Sequence, residues 1–281
     1  MSACAIIVSY RTGPALEWCL RALLAAEGLN EILVADNGND AAGEALLDAA
    51  GQLDPRLRVL RGHGNVGFAA ACNLAVRYAQ ADVLAFINPD VILEHDAVPR
   101  LLTVLNAAPP PAIAGGDLRD EQGRPDRGSR RESLTLWRAF VSASGLSSLE
   151  QLSPLFRDFN RHLDPMPALP EPVGAVSGAL FAVRRADFEA LGGFDEGYFL
   201  HVEDVDLCRR ANDAGWRVLF APGPHGTHLR STADAPSSTV ALYKARGFAR
   251  YFRKFAHGPL HRVVGEIATA GLILAAKLRA A

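Results

Sequence analysis

Short apolar runs that end in a polar residue, alternating with helix-length amphipathic stretches, constrain the fold of this chain more than any other feature. Cys4–Ser9, Glu31–Asp36, Arg58–Arg61 and Val83–Ile87 have the length and apolar content of buried strands. Between them, Ala15–Ala26, Ala41–Ala50 and Gly67–Gln80 carry apolar residues at helical spacing. Such alternation gives an α/β fold, a mainly parallel sheet with helices on both faces, because parallel neighbours need a crossover that passes over one face. Ligands of these sheets sit beyond the carboxyl ends of the strands. Ser9, Asp36, Asn65 and Asp90 fall at those ends, so the pattern predicts a nucleotide site there.

After Ala107 the texture changes. Pro109-Pro-Pro111 stops a helix, Asp117–Asp126 is polar and turn-rich, and helical patterning returns around Leu134–Leu152 before a proline-punctuated stretch. Residues 117–172 therefore read as an insertion. Val173–Val183 reads as one core strand whose Ser177-Gly178-Ala179 faces a ligand, and Trp216–Ala221 as the last core strand, leading to His225 and His228.

Between those strands lies Phe194-Asp-Glu-Gly-Tyr-Phe-Leu-His-Val-Glu-Asp-Val-Asp206, which crowds Glu203, Asp204 and Asp206 at the start of a helix running to Ala214. Like charges so close repel, so the cluster needs a reason. One is structural: acids in a first helical turn gain roughly 0.3–1 kcal/mol each from the macrodipole, and Asp206 can pair with Arg209 or Arg210. The other is catalytic.

Five segments in order carry a resemblance. Ala5-Ile-Ile-Val-Ser-Tyr10, Ile32-Leu-Val-Ala-Asp-Asn-Gly38, Asn65-Val-Gly-Phe-Ala-Ala-Ala-Cys-Asn73, Phe86-Ile-Asn-Pro-Asp90 and Gly193 through Trp216 together resemble the inverting glycosyltransferases of family 2. In detail they are most similar to bacterial rhamnosyltransferases acting on lipid-linked saccharides. The resemblance implies the GT-A fold and a nucleotide-diphosphate sugar donor. It implies that Ser9, Tyr10, Asp36, Asn65, Gly67 and Asn88 contact the nucleotide. It also implies that Asp90 and His228 serve Mg²⁺ or Mn²⁺, and that Ser177, Gly178 and His201 contact the sugars. The family's Asp-x-Asp is represented here by Asn88-Pro-Asp90, which would also serve as a plain turn. His225 competes with His228, and an Asx turn in Asp36-Asn-Gly competes with base recognition. Inversion requires a carboxylate to take the acceptor hydroxyl proton. The resemblance assigns that role to Asp204, with Glu203 as alternate or orienting group.

Two other motifs lead elsewhere. Gly62-His-Gly-Asn-Val-Gly67 fits a dinucleotide fingerprint, but after the third strand rather than the first. Gly174-Ala-Val-Ser-Gly178 has its serine one place too late for a nucleophile elbow. An NAD-dependent oxidoreductase and a hydrolase are disfavoured accordingly. An inactive nucleotide- or glycan-binding module remains the competing class.

The chain has 281 residues, 49% hydrophobic and 21% charged, enough for one large α/β domain. A net charge of −2 gives no global sign of nucleic-acid binding. The charge is uneven, however: from Val240 onward eight Lys or Arg face only Glu266, a local +7 that leaves −9 elsewhere. On a helix, Arg246, Arg250, Arg253 and His257 share one face and Phe248, Tyr251, Phe252 and Phe255 the other. That pattern suits either packing on the core or an anionic membrane surface. Val263–Ala276 is apolar apart from Glu266 and too short to span a bilayer. Cys4, Cys19, Cys72 and Cys208 are scattered, as expected of reduced thiols, and the N-terminus enters a strand at once. The expectation is a cytoplasmic protein able to lie on the inner face of the membrane, using a polyprenyl-linked saccharide as acceptor. Residues 1–230 would form the transferase domain, with 117–172 on its acceptor side, and 231–281 a helical C-terminal extension.

Overall fold

The computed structural model describes residues 1–230 and 236–278. Residues 231–235 and 279–281, at the two ends of the expected C-terminal extension, lie outside the described residues, as does the basic Arg279.

The alternating segments form β1 (Ala3–Ser9), α1 (Pro14–Ala25), β2 (Glu31–Asp36), α2 (Ala41–Leu53), β3 (Leu57–Leu60), α3 (Phe68–Val76) and β4 (Val83–Ile87). The third helix stops four residues short of the expected Gln80, in a turn where the Tyr78 N–H donates to the Ala75 carbonyl (2.9 Å). There follow β5 (Val91–Leu93), α4 (Ala97–Ala107) and β6 (Ala112–Arg119), then a short β7 (Arg130–Arg131) and α5 (Leu136–Ser144). Gly145 ends α5 with φ +79°, so helical patterning to Leu152 continues only as a 3-10 turn. The rest comprises β8 (Glu171–Pro172), β9 (Ala175–Val176), β10 (Leu180–Arg184), α6 (Arg185–Ala190), α7 (Glu203–Asp213), β11 (Arg217–His228), α8 (Ser237–Lys254) and α9 (Gly258–Leu278).

The main sheet has the order β3-β2-β1-β4-β10-β6-β11-β5, with β8 on β11. Strands β3, β2, β1, β4, β6 and β11 all point the same way, while β10, β5 and β8 oppose them. Strands β1, β2 and β4 are buried on both faces, while the edge strand β3 buries only Leu57 fully. One apolar layer joins α1 and α4 to one side of the sheet, and a second joins α3 and α7 to the other. The four cysteines are buried, three of them at or below 1% exposure, and unpaired.

The expected continuous strand 173–183 is broken. β9 pairs with β7 in a separate two-stranded ribbon, whereas β10 lies between β4 and β6. Ser177-Gly178-Ala179 is the step between the two, which frees its amides for other partners. The last core strand runs longer than expected, to His228, because its end zips antiparallel onto β5.

The acid cluster divides into different roles. Asp206 is fully buried and satisfied: Oδ1 accepts from Arg210 Nε (2.6 Å), while Oδ2 accepts from the Tyr198 hydroxyl (3.1 Å) and lies 2.7 Å from Lys254 Nζ. Arg210 in turn donates to the Leu191 and Gly193 carbonyls. Asp195 binds Arg250 and Lys254. Helix α8 is thus clasped to α7 and to the loop before it, and Tyr251 and Phe252 pack with Leu134, Phe159, Tyr198 and Val205. Replacing Asp206 by Asn leaves two cations short of their counter-charge, and breaking a buried pair from one side is strongly destabilising. Asp206→Asn should lose roughly 3 kcal/mol, read as a lowered denaturation midpoint, with nucleotide affinity preserved in the fraction that stays folded.

Candidate functional site

The site lies at the carboxyl ends of the parallel strands. Ser9 and Asp36 are paired neighbours at the ends of β1 and β2. Asp36 Oδ1 accepts from the amides of Gly38 (3.1 Å) and Asn39 (3.0 Å), so the Asx turn does form. Its Oδ2 meets Arg61 Nε at 3.1 Å. Burial alone would raise this carboxyl, but the two amides and Arg61 outweigh it and hold it below its ordinary value. Ser9 Oγ donates to Asn39 Oδ1 (3.1 Å), and the Tyr10 ring lies beside Gly38 with the Arg11 guanidinium 5.6 Å away.

Asn65 and Gly67 build the adjacent loop. Asn65 Oδ1 accepts from the Gly67 amide (3.2 Å), and Asn37 Nδ2 donates to the Gly67 carbonyl (3.2 Å). Gly67 has φ +85°, and a Cβ there would come within 2.6 Å of the Phe199 carbonyl oxygen. That same carbonyl accepts from the Phe68 amide at 2.8 Å. Glycine is therefore what lets this loop dock under the aromatic loop leading to α7.

The second half of the site centres on Asp90 and His228. Asp90 follows β4 and precedes β5; His228 ends β11, opposite Val91. Asp90 Oδ1 lies 3.3 Å from His228 Nε2. The other ring nitrogen meets Asp126 Oδ2 at 2.9 Å, and Asp126 also accepts from Arg230 Nε (2.7 Å). Burial would lower the His228 pKa, but the two carboxylates raise it to about 9; burial would raise Asp126, but His228 and Arg230 hold it well below the usual carboxylate range. His225, the alternative, is held differently. It is 1% exposed, its Nδ1 accepts from the Asp117 amide (3.3 Å), and burial assisted by Arg100 pushes it down to about 4.

Among the described residues no group of three or more His, Cys, Asp and Glu is arranged to hold a metal ion. Asp90 and His228 nevertheless fit as two ligands. Their donor atoms face each other, and the far nitrogen of the histidine is held by a carboxylate, the usual support of a metal-bound imidazole. Mg²⁺ and Mn²⁺ sites of this kind take their remaining oxygens from water and phosphate.

The third part is the acid pair. Asn88 joins it to the Asp90–His228 half, since its amide donates to the Ala179 carbonyl (2.9 Å). One residue back, the Gly178 amide donates to Asp204 Oδ2 (2.9 Å). A Cβ on Gly178 would come to 3.1 Å from that of Asp204, so the approach is close. Ser177 Oγ accepts from the Ala179 amide (3.2 Å) and shapes the step. Arg131, delivered by the β7–β9 ribbon, donates to Asp204 Oδ2 (2.6 Å) and to the Val176 carbonyl. Burial would raise Asp204; Arg131 and the Gly178 and Val205 amides prevail and keep it ionised. Glu203 goes the other way. Burial, reinforced by the Asp204 charge, pushes it up to about 8, and its Oε2 has no hydrogen-bond partner. His201 and Val202 enter α7 with φ +69° and +76°. Two successive left-handed non-glycine residues, one of them β-branched, mark a strained turn held by its surroundings.

The expected residues thus fall into three adjoining groups along the strand ends. Sequence reading missed Arg131, Asp126, Asn37 and Arg61, which orient the residues it found. Arg130 and Arg131 make up a two-residue strand and are each at most 9% exposed, a burial that no pattern in the sequence marks.

The glycosyl transferase family 2 model matches residues 4–192, and the chain belongs to that family. It is a glycosyltransferase. A relative in Mycobacterium tuberculosis, N-acetylglucosaminyl-diphospho-decaprenol L-rhamnosyltransferase, is 31% identical over 253 residues, covering 85% of this chain and 80% of its own. The rhamnosyltransferase WbbL of Escherichia coli is 30% identical over 235 residues, covering 79% and 81%. Among solved structures, a mannosyltransferase from Pyrobaculum calidifontis in complex with GDP-Man and Mn²⁺ superposes with a TM-score of 0.61 at 15% identity. It covers 98% of this chain and 73% of its own. GalNAc-T7 with UDP, GalNAc and Mn²⁺ gives 0.62 at 15% identity, covering 94% and 54%. These likenesses show the GT-A fold.

Proposed function

We propose that this chain transfers L-rhamnose, with inversion, from dTDP-L-rhamnose to a saccharide carried on a polyprenyl diphosphate, in assembly of a surface polysaccharide. The observation that carries the reading is the continuous path Asp204–Gly178–Ala179–Asn88 between an ionised carboxylate and the Asp90–His228 pair. It sets a proton acceptor beside a place suited to a leaving diphosphate. The two rhamnosyltransferase relatives support the sugar, and the first of them supports the acceptor class.

In this mechanism the acceptor hydroxyl oxygen bonds to the anomeric carbon on the face opposite the nucleoside diphosphate. The bond from that carbon to the diphosphate oxygen breaks, its electron pair leaves with the diphosphate, and the hydroxyl proton passes to Asp204. Arg131 and the Gly178 amide aim the carboxylate, and Asp36, Ser9 and Tyr10 face the pyrimidine. Asp90 and His228 would hold a divalent cation, which would supply positive charge to the departing diphosphate. Residues 1–230 act as the transferase domain in this reading, with 117–172 on the acceptor side and 231–281 as a helical extension.

Membrane contact belongs to the same proposal, with a change of surface. On α8, Arg250 and Arg253 are engaged by Asp195 and Glu266. On α9, by contrast, Val263, Val264 and Ile267 are 55%, 45% and 69% exposed beside Arg262. That face supports a place on the inner side of the cell membrane. Among the described residues no helix is long and apolar enough to cross a bilayer.

Glu203 is the competing base, because its raised pKa lies nearer the working pH. The two assignments differ in sign on the pH axis. A base must be deprotonated: Asp204, held low by Arg131, stays active to well below neutral pH, whereas a Glu203 base would lose activity as pH falls through about 8. Asp204→Asn should lower turnover about 10²–10⁴-fold and leave dTDP affinity unchanged, with Glu203→Gln milder. Near-normal turnover in Asp204→Asn, or an acid limb near pH 8, would give the role to Glu203.

The metal assignment is tested separately by calorimetry of dTDP and UDP with and without Mn²⁺. Mn²⁺ should tighten nucleotide binding in the wild type; Asp90→Ala should abolish that gain and His228→Ala weaken it. Equal enhancement in wild type and Asp90→Ala would remove Asp90 from the site, and preference for UDP would replace the thymidine donor by a uridine one. Nucleotide binding without turnover or donor hydrolysis in the wild type would mark an inactive binding module.

A further inference from the structure

Helix α8 carries more than the contacts that fix it in place. Its backbone lies directly on the strained turn that presents the acid pair: a Cβ on Gly247 would come to 2.9 Å from the His201 carbonyl oxygen and 3.0 Å from Val202 Cγ2. One turn earlier, the Tyr243 ring stacks on Phe199 with centroids 4.5 Å apart and planes at 23°. Lys244 stands between these two contacts, three residues before Gly247 and so on the same helix face. The Lys244 ammonium therefore projects toward the site.

Its surroundings are unusual for a lysine. The side chain is exposed to solvent, and the ammonium lies within electrostatic reach of the three cations Arg127, Arg131 and Arg230 and of the acid Asp204. Arg131 already binds Asp204, and Arg230 gives its Nε to Asp126. Arg127 reaches an acid, Asp158, only at 3.9 Å. Lys244 itself has no hydrogen bond or ion pair among the described residues. Burial and the neighbouring cations lower its pKa, the direction expected where positive charge exceeds what the fold neutralises. Three of these four cations have an acid and Lys244 has none, so the group carries an accessible excess of positive charge that suits an anion.

We propose that Lys244, with Arg127 and Arg230, forms a diphosphate-binding wall on the α8 side of the site. The inference rests on the glycosyltransferase reading only for the identity of the ligand. Two diphosphates enter that reaction, one in the nucleotide sugar and one in the lipid carrier of the acceptor. Lys244 is within electrostatic reach of Asp204, where the acceptor hydroxyl is deprotonated in that reading, and Arg230 binds the Asp126 of the Asp126–His228 pair. The shared chemistry is a diphosphate, and the variants below separate its sources.

The test uses the full chain with Lys244→Ala and Lys244→Arg, after confirming that both melt like the wild type. Calorimetry with inorganic pyrophosphate in the presence of EDTA should show binding to the wild type. Affinity should fall roughly tenfold or more in Lys244→Ala, the scale of one charge-assisted hydrogen bond, and recover in Lys244→Arg. Steady-state kinetics then compare a GlcNAc-diphospho-lipid with a neutral alkyl GlcNAc glycoside. If the wall serves the acceptor, Lys244→Ala raises KM for the diphosphate acceptor by a similar factor and leaves the neutral one unchanged. If it serves the donor, the loss appears in dTDP affinity and donor KM with both acceptors alike. Absence of pyrophosphate binding in the wild type, or unchanged binding in Lys244→Ala, would overturn the proposal. A wild type without transferase activity whose pyrophosphate binding still depends on Lys244 would sink the functional reading and keep the wall.

Discussion

The buried carboxylate of Asp206 is the contact on which the geometry of this site depends. It takes one hydrogen bond from a tyrosine before α7, one from an arginine on α7, and an ion pair from a lysine on α8. Three separate segments are thereby held to one point with no exposed charge at its centre. Since α7 presents Glu203 and Asp204 in its first turn, and α8 carries Lys244, the same contact sets where these three side chains stand. The left-handed pair His201-Val202 follows from this. The chain must turn sharply to enter a helix whose far side is already pinned, and packing of Gly247 against the turn keeps it there.

Around that frame, the two neighbouring acids are driven apart in charge. Arg131 and two backbone amides stabilise the ionised form of Asp204, and the resulting negative charge, added to burial, keeps the proton on Glu203. Two carboxyls adjacent in sequence thus behave as one ionised and one neutral group at neutral pH. Only the ionised one lies against the step between β9 and β10, where Gly178 reaches it. The broken strand is what makes this possible. A continuous ladder through Ser177–Ala179 would have committed the Gly178 amide to a neighbouring strand.

What the sequence made legible was whatever follows from local periodicity or from ordered motifs. The parallel run, the strand-end placement of Ser9, Asp36 and Asp90, and the helix carrying the acid pair all belong to that class. The choice between His225 and His228 did not, since both lie near the end of β11. The difference lies in partners remote in sequence, the Asp117 amide on the neighbouring strand β6 and the Asp126 carboxylate in the loop that follows it. Arg131 escaped for the same reason, lying 73 residues from its partner Asp204 on a two-residue strand too short to carry a pattern. Lys244 looked like one more cation in a basic segment. Only the packing of α8 on the 199–202 turn separates it from Arg250 and Arg253, which the fold neutralises. The glycine of Gly67 was readable as a motif, but its reason, the approach of Phe199, was not.

The central claim is that a carboxylate at the start of α7 deprotonates the acceptor on the side opposite the leaving diphosphate. The anomeric configuration of the product tests this most directly. Proton NMR of the disaccharide formed from dTDP-L-rhamnose, read from the one-bond carbon–hydrogen coupling at the transferred sugar's anomeric centre, should show the configuration opposite to that of the donor. A product that keeps the donor's configuration would contradict the account, because a single in-line displacement assisted by Asp204 cannot give it.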